Sequence, residues 1–274
     1  MLAEKTSFAM SDAERRQLAV DGYVVRERVF DAGEVAAIAA ECEAVVARLE
    51  AAGRHTKHAV GSYMFEIQRE AATVVKWEPF APEVVQGLEP LAHLSEPLRD
   101  VGLDARLVGP CRAIVGQDDI ALFTEKLNVK RAQHGGSIIL HQDFPYWEHV
   151  SPIAAQVATA MVFLDDTTTL NGCLEVAAGT HRQGKWPQRA DSDGFGSLEM
   201  DPAQFDHGRL KALEAPAGTV AYFGAFLVHR SLPNRSSGDR RALLYSYQPA
   251  GHPHMLELNE LLRRKPAPQS TTQS

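Results

Sequence analysis

Leu140-His141-Gln142-Asp143-Phe144-Pro145-Tyr146-Trp147 sets an imidazole and a carboxylate two residues apart inside an apolar, aromatic run. Read as a strand, the run alternates faces, so His141 and Asp143 point into one cavity while Gln142 points away. A second imidazole is offered by Phe226-Leu227-Val228-His229-Arg230-Ser231. Two His and one carboxylate make the facial set that holds Fe(II) and leaves three adjacent coordination positions open. On these residues alone a zinc hydrolase stays open as well, and an isolated His-x-Asp is a weak signal.

Spacing strengthens it. Arg240 follows His229 by 240 − 229 = 11 positions. A hairpin of that length returns a guanidinium to the neighbourhood of the metal, where it can hold a carboxylate in a bidentate fork. Arg241 competes for the same role. Consecutive strand residues face opposite ways, so only one of the two reaches the cavity.

Outward from this centre, residues 119–250 read as short strands divided by turn residues, with strands expected at 121–130, 154–164, 171–176, 218–223 and 241–247 and a turn at 133–137. That pattern belongs to an antiparallel sandwich or barrel. Toward the N-terminus, Ser11 caps a helix over 15–20 that Asp21-Gly22 stops, and 23–30 reads as a strand. Asp31 with Glu34 forms a capping box. Behind it Val35, Ile38, Ala39, Cys42, Val45, Val46 and Leu49 fall at helical spacing to about Ala52. The segment 54–117 carries a weaker pattern, with a helix over 91–103, and is expected to be a helical layer that also covers the substrate pocket with the polar loop 182–210. The expectation is a mainly β fold with flanking helices. It forms a single domain over 1–265, with a helical part to about 118, a β core over about 119–250 and a flexible tail at 266–274.

The 274 residues carry a formal charge of −7, with 45% hydrophobic and 23% charged residues, which gives no electrostatic case for nucleic acid or an anionic membrane. No apolar run has the length of a membrane span and the first residues lack a secretory apolar segment, so a cytoplasmic location is expected. Cys42, Cys111 and Cys173 are odd in number and far apart, the pattern of reduced buried thiols. Lys57 and Arg182 read as solvated surface residues.

Four pieces in order carry a wider likeness: Lys126-Leu127-Asn128-Val129-Lys130; His141-Gln142-Asp143-Phe144; Asn171-Gly172-Cys173-Leu174 with Gly179-Thr180-His181; and His229-x-Ser231-x-x-Asn234-x-Ser236 with Arg240. Together they span about 124–247 and resemble the phytanoyl-CoA dioxygenase family of Fe(II)/2-oxoglutarate-dependent oxygenases. Gly22-Tyr23 with the first strand and helix also fits the usual start of that family. The resemblance implies a double-stranded β-helix, a jelly roll of two antiparallel sheets with helices outside. It implies His141, Asp143 and His229 as iron ligands and Arg240 on the distal carboxylate of 2-oxoglutarate, helped by Ser231. Thr124 and Asn128 stand where relatives turn polar side chains toward the cosubstrate, although some relatives have Gln in place of Thr124.

The same resemblance implies O2 as oxidant and hydroxylation of an unactivated C–H of a small molecule, with release of succinate and CO2. The substrate would be an amino acid, a natural-product intermediate or an acyl thioester. Desaturation, epimerisation or cyclisation with the same cofactors is the alternative, and a non-catalytic metal-binding jelly roll is the remote one. Halogenating relatives replace the acidic ligand with a small residue, so Asp143 favours oxygenation. Phe144 and Trp147, just after the metal motif, are candidates for the substrate wall.

Overall fold

A strand that is apolar on both faces sits at the centre of the molecule. Ala158–Phe163 (β8, ATAMVF) is buried at every position, because one face meets a second sheet and the other meets helices. The computed structural model describes residues 8–52, 57–60, 63–189 and 198–258. Among them two antiparallel sheets form a double-stranded β-helix flanked by helices. The larger sheet has the order β1-β11-β8-β13-β6-β5-β4-β3-β2 and the smaller β10-β9-β12-β7. Their strands are β1 (Tyr23–Arg26), β2 (Lys57–Val60), β3 (Tyr63–Gln68), β4 (Thr73–Glu78), β5 (Ala81–Glu89), β6 (Ile120–Lys130), β7 (Ile138–His141), β9 (Leu174–Ala177), β10 (Leu210–Leu213), β11 (Val220–Gly224), β12 (Val228–Ser231) and β13 (Arg240–Pro249).

Alternation sorts the large sheet into two layers. Met161, Phe163, Ala221, Phe223, Ala242 and Leu244 face the small sheet and meet Leu174 and Val176. Val162, Tyr222, Leu243 and Tyr245 face outward, where α2 (Ala32–Ala52), α3 (Glu96–Gly102) and α4 (Ala105–Val115) cover them. The residues that α2 buries are Val35, Ile38, Ala39, Cys42, Val45, Val46 and Leu49, the stripe its spacing predicts. Its capping box is closed in both directions, Asp31 N donating to Glu34 at 2.8 Å and Glu34 N to Asp31 at 2.9 Å. Tyrosines of the sheet tie down the other two helices. The Tyr245, Tyr247 and Tyr222 hydroxyls donate to the carbonyls of Leu98, Gly102 and Arg106.

The helical reading of the chain up to about 118 is corrected. Residues 57–89 supply four strands, β2 to β5, which extend the large sheet beyond β6. Polar residues inside them break the alternation that identifies a strand: Lys76 lies on the cavity face, while Glu66 and Gln68 lie on the other face, where Gln68 donates to the Leu49 carbonyl of α2. The first strand is also shorter than 23–30, since the chain turns after Arg26. The tail 266–274 lies outside the described residues. Cys42, Cys111 and Cys173 are free and buried, and no helix among the described residues is long and apolar enough to cross a membrane.

Helix α1 (Asp12–Asp21) is closed by Ser11 at its start and by Gly22 in the left-handed region, φ 86°, at its end. The Glu14 carboxylate grips the Arg26 guanidinium at 2.7 and 3.0 Å, tying α1 to β1. That hydrogen bond holds the Glu14 carboxyl down at about 2, against 4.5 ordinarily. Because the folded value is the lower one, the pair's stabilisation is present above pH 4.5 and is lost as pH falls toward 2. Glu14→Gln should therefore cost about 1 kcal/mol at pH 7 for this part-exposed pair. Denaturant unfolding should show the gap between variant and wild type narrowing at pH 3, and a pH-independent gap would contradict the assignment.

Candidate metal centre

The antiparallel pairing of β7 with β12 sets His141 directly opposite His229, with ring centroids 4.1 Å apart. Each ring is turned by its own backbone. Nδ1 of His141 lies 2.7 Å from the Ile139 carbonyl and Nδ1 of His229 lies 2.9 Å from that of Leu227. A carbonyl only accepts, so both Nδ1 atoms carry the proton and both Nε2 lone pairs are left for a metal. Burial, then His229, Lys126 and Lys76, push the His141 imidazole well below its ordinary value, keeping it in the neutral form that ligates. Asp143 Oδ1 lies 3.8 Å from His141 Nε2, and the ligand atoms of His141, Asp143 and His229 all lie within 4.8 Å of one another.

Asp143 reaches this position by a route that strand alternation does not describe. β7 ends at His141, and Asp143 (φ −72°, ψ −31°) starts the single helical turn α5 (Phe144–Trp147). Gln142 does point away from the metal, and it is fully buried. Its Nε2 donates to the carbonyls of Gly184 (2.9 Å) and Phe226 (2.7 Å), and its Oε1 accepts from Trp186 N (2.9 Å). One amide thus joins the turn between two ligands to the loop that leads into the third.

Behind the centre, Arg240 is 1% exposed and spends Nη2 on the Gly172 carbonyl at 2.5 Å. Among the described residues its Nε and Nη1 have no partner, and neither has the buried Ser231 hydroxyl. Arg241 faces the other way and is held by Asp165 at 2.7 Å and Glu43 at 3.3 Å. Gly172 takes φ 73°, and a Cβ there would sit 2.1 Å from the Leu232 carbonyl. The tight approach needs glycine and aims the Gly172 carbonyl at Arg240. Lys130, the β-partner of Arg240, is buried too and donates to the carbonyls of Gly136 and Leu232. Burial lowers both groups, Arg240 to about 10 and, with Arg240 beside it, Lys130 to about 7. Buried donors in a fork without acceptors fit a carboxylate.

A model of the phytanoyl-CoA dioxygenase family matches residues 18–242. The chain belongs to the phytanoyl-CoA dioxygenase family. It is accordingly a 2-oxoglutarate-dependent non-haem iron dioxygenase. It is 32% identical to L-proline trans-4-hydroxylase of Streptomyces griseoviridis over 158 residues, 52% of this chain and 59% of that protein. Ectoine dioxygenase of Bordetella bronchiseptica is 26% identical over 262 residues, 89% of this chain and 77% of that one. The fold is similar to SnoK, a non-heme alpha ketoglutarate dependent carbocyclase from nogalamycin biosynthesis, with TM-score 0.67 and 21% identity over 94% of this chain and 92% of that chain.

Other residues expected in this dioxygenase's site are placed differently. Asn128 faces the cavity one pair-step from Arg240, with Gly87 and Ala242 as Cα partners. Thr124 pairs with Ser246, six residues along β13 from Arg240, or about 20 Å at strand rise. Its buried hydroxyl donates to Glu89 at 2.9 Å, away from Arg240. Trp147 is corrected from pocket wall to core, packing edge-on against Phe123 at 5.4 Å with Ala154 and Val157. Phe144 stacks on Phe226 at 4.4 Å. In a helical turn these two, three apart, share a face, and Tyr146 takes the other. Tyr146 meets His141 edge-on at 5.8 Å and shares a hydrogen bond with Tyr63. Lys57, outside the cavity, lies over Trp77 at 3.4 Å.

Gln142→Ala removes three hydrogen bonds at about 1 kcal/mol each, so unfolding of the metal-free protein should lose about 3 kcal/mol. Fe(II) affinity should fall on the order of tenfold, as expected for a group that orients ligands. An unchanged metal titration would show that the turn is held without Gln142.

Proposed function

We propose that this dioxygenase hydroxylates an unactivated C–H of a small molecule, with His141, Asp143 and His229 holding Fe(II) and Arg240 with Ser231 holding the distal carboxylate of 2-oxoglutarate. The observation that carries the reading is the pairing of a three-ligand cluster with a buried guanidinium whose Nε and Nη1 have no partner among the described residues. A metal-binding jelly roll with no cosubstrate would leave that cation buried without an anion, which is costly. A zinc hydrolase would leave it equally unexplained.

Bound iron supplies the redox chemistry, coupling the oxidative decarboxylation of 2-oxoglutarate by O2 to oxygen insertion into a substrate C–H, with succinate and CO2 released. The protein supplies placement. The His141 and His229 imidazoles and the Asp143 carboxylate would hold the ion with three ligands and leave coordination positions for the cosubstrate and O2. Arg240 fixes the far end of the diacid, so its keto acid end points at the ligand cluster. Asn128 lies one pair-step from Arg240 and Tyr146 lies edge-on to His141, so both border the cavity. Relatives that act on proline and ectoine support a small-molecule substrate. The carbocyclase likeness keeps cyclisation as the alternative outcome, since outcome follows from where the C–H sits.

Anaerobic addition of Fe(II) and 2-oxoglutarate should produce the weak visible charge-transfer band of the chelate. Arg240→Met should raise the 2-oxoglutarate concentration needed for half the band on the order of 100-fold. His141→Ala should abolish both the band and succinate release. A folded wild-type protein without the band would sink the proposal.

A further inference from the structure

Two lysines face the cavity from β4 and β6, with β5 between them, and only one of them has a counter-ion. Lys76 on β4 has Phe65 and Gly87 as Cα partners, Gly87 has Asn128, and Asn128 has Ala242. These positions form one row across the inner face, in which Gly87 contributes no side chain. Lys126 lies two residues before Asn128 on the same face. Both lysines lie near enough to act electrostatically on His141, and Asp143 acts on Lys126.

Lys126 is answered by Glu89 at 3.3 Å. Lys76 is not answered in this way. Among the described residues no hydrogen-bond acceptor reaches its ammonium, which lies over the Tyr63 ring at 3.7 Å and near Phe65 at 6.0 Å. A ring face fixes a cation and offsets only part of the cost of burying it. Glu89, Glu78 and Glu199 also act on Lys76, yet burial and Lys126 outweigh them and bring it down to about 7. The side chain is half-buried, and among the described residues no carboxylate comes within ion-pair distance of its ammonium. The cosubstrate does not supply one, because its distal carboxylate is directed to Arg240 and its other end to the metal.

Resting on the dioxygenase reading above, we propose that Lys76, with Lys126 beside it, binds an oxyanion of the substrate, so the substrate carries a carboxylate or a phosphonate-like group. The anion would anchor on the inner face of β4, leaving the rest of the molecule to reach the metal. The Tyr63 ring, with Phe65 further off, positions the ammonium. Lys126, already paired with Glu89, adds charge without needing to be the direct contact.

The test uses full-length protein loaded with Mn(II) and 2-oxoglutarate. Binding is read by ligand-detected NMR for hexanoate and L-proline as carboxylates, methylphosphonate as a tetrahedral anion, and hexanamide and L-prolinamide as partners lacking the anion. At least one anion should bind more tightly than its amide. Which anion wins separates a carboxylate from a phosphonate. Lys76→Met should weaken that anion about tenfold and Lys76→Arg should restore most of it. Equal binding of acid and amide, no anion binding, or an unaffected Lys76→Met would each overturn the proposal. The Fe(II)–2-oxoglutarate band is recorded in parallel. Its absence from the wild type would count against the dioxygenase reading, whereas its presence with no anion effect would count against Lys76 alone.

Discussion

The metal centre of this molecule depends on one strand register. β7 and β12 meet with His141 facing His229, and a slip of one residue would turn one imidazole to the opposite face of the small sheet. The register is secured from several directions. β12 is also paired with β9, His229 opposite Val176. The Thr180 hydroxyl accepts from Val228 N at 3.0 Å and donates to Ala177 at 2.7 Å, which seats the start of β12. Gln142 then fixes the turn that carries Asp143. The metal ligands are short side chains, and their precision comes from backbone held in this way.

A second constraint is the concentration of positive charge in a low-dielectric space. Arg240 and Lys130 are β-partners, both 1% exposed, an arrangement that burial and mutual repulsion oppose. It is tolerated because the ammonium is held by carbonyls and because the loops around it are rigid. Asn234 closes one of them, donating to the carbonyls of Lys130 (2.9 Å) and Gly238 (2.8 Å). The fork that remains open on Arg240 is thus preorganised, and a diacid would meet donors that need not rearrange.

Much of this was legible in residue types and spacings. The 3.6-residue stripe of α2, the capping boxes and the His229-to-Arg240 interval each report a local rule that the fold obeys. The choice of Arg240 over Arg241 follows from strand alternation together with that interval. What escaped had a non-local cause. Strands β2 to β5 lack a clean alternation because both faces mix polar with apolar residues, Lys76 and Glu89 on the inner face and the buried Glu66 and Gln68 on the outer one. Asp143 meets His141 because the chain leaves the strand at His141, and that same departure sends Trp147 into the core and Tyr146 toward the metal. Gln142 carried no signal at all, since a buried amide that links three loops looks in sequence like any polar residue between two ligands.

The wing formed by β3, β4 and β5 joins the rest of the large sheet through the pairs Gly87–Asn128 and Leu88–Leu127. All three iron-ligating positions and Arg240 come later in the chain, on β7, α5, β12 and β13 and the turns between them. The protein is in this respect modular. One contiguous stretch of about thirty residues presents Tyr63, Lys76 and Glu89, while the oxidising centre is built from another part of the chain. On the Lys76 proposal, changes in that stretch would alter which molecule is admitted without touching the register that assembles the metal ligands. A fold divided in this way gives evolution, or an engineer, a cassette for substrate choice beside a fixed reaction centre.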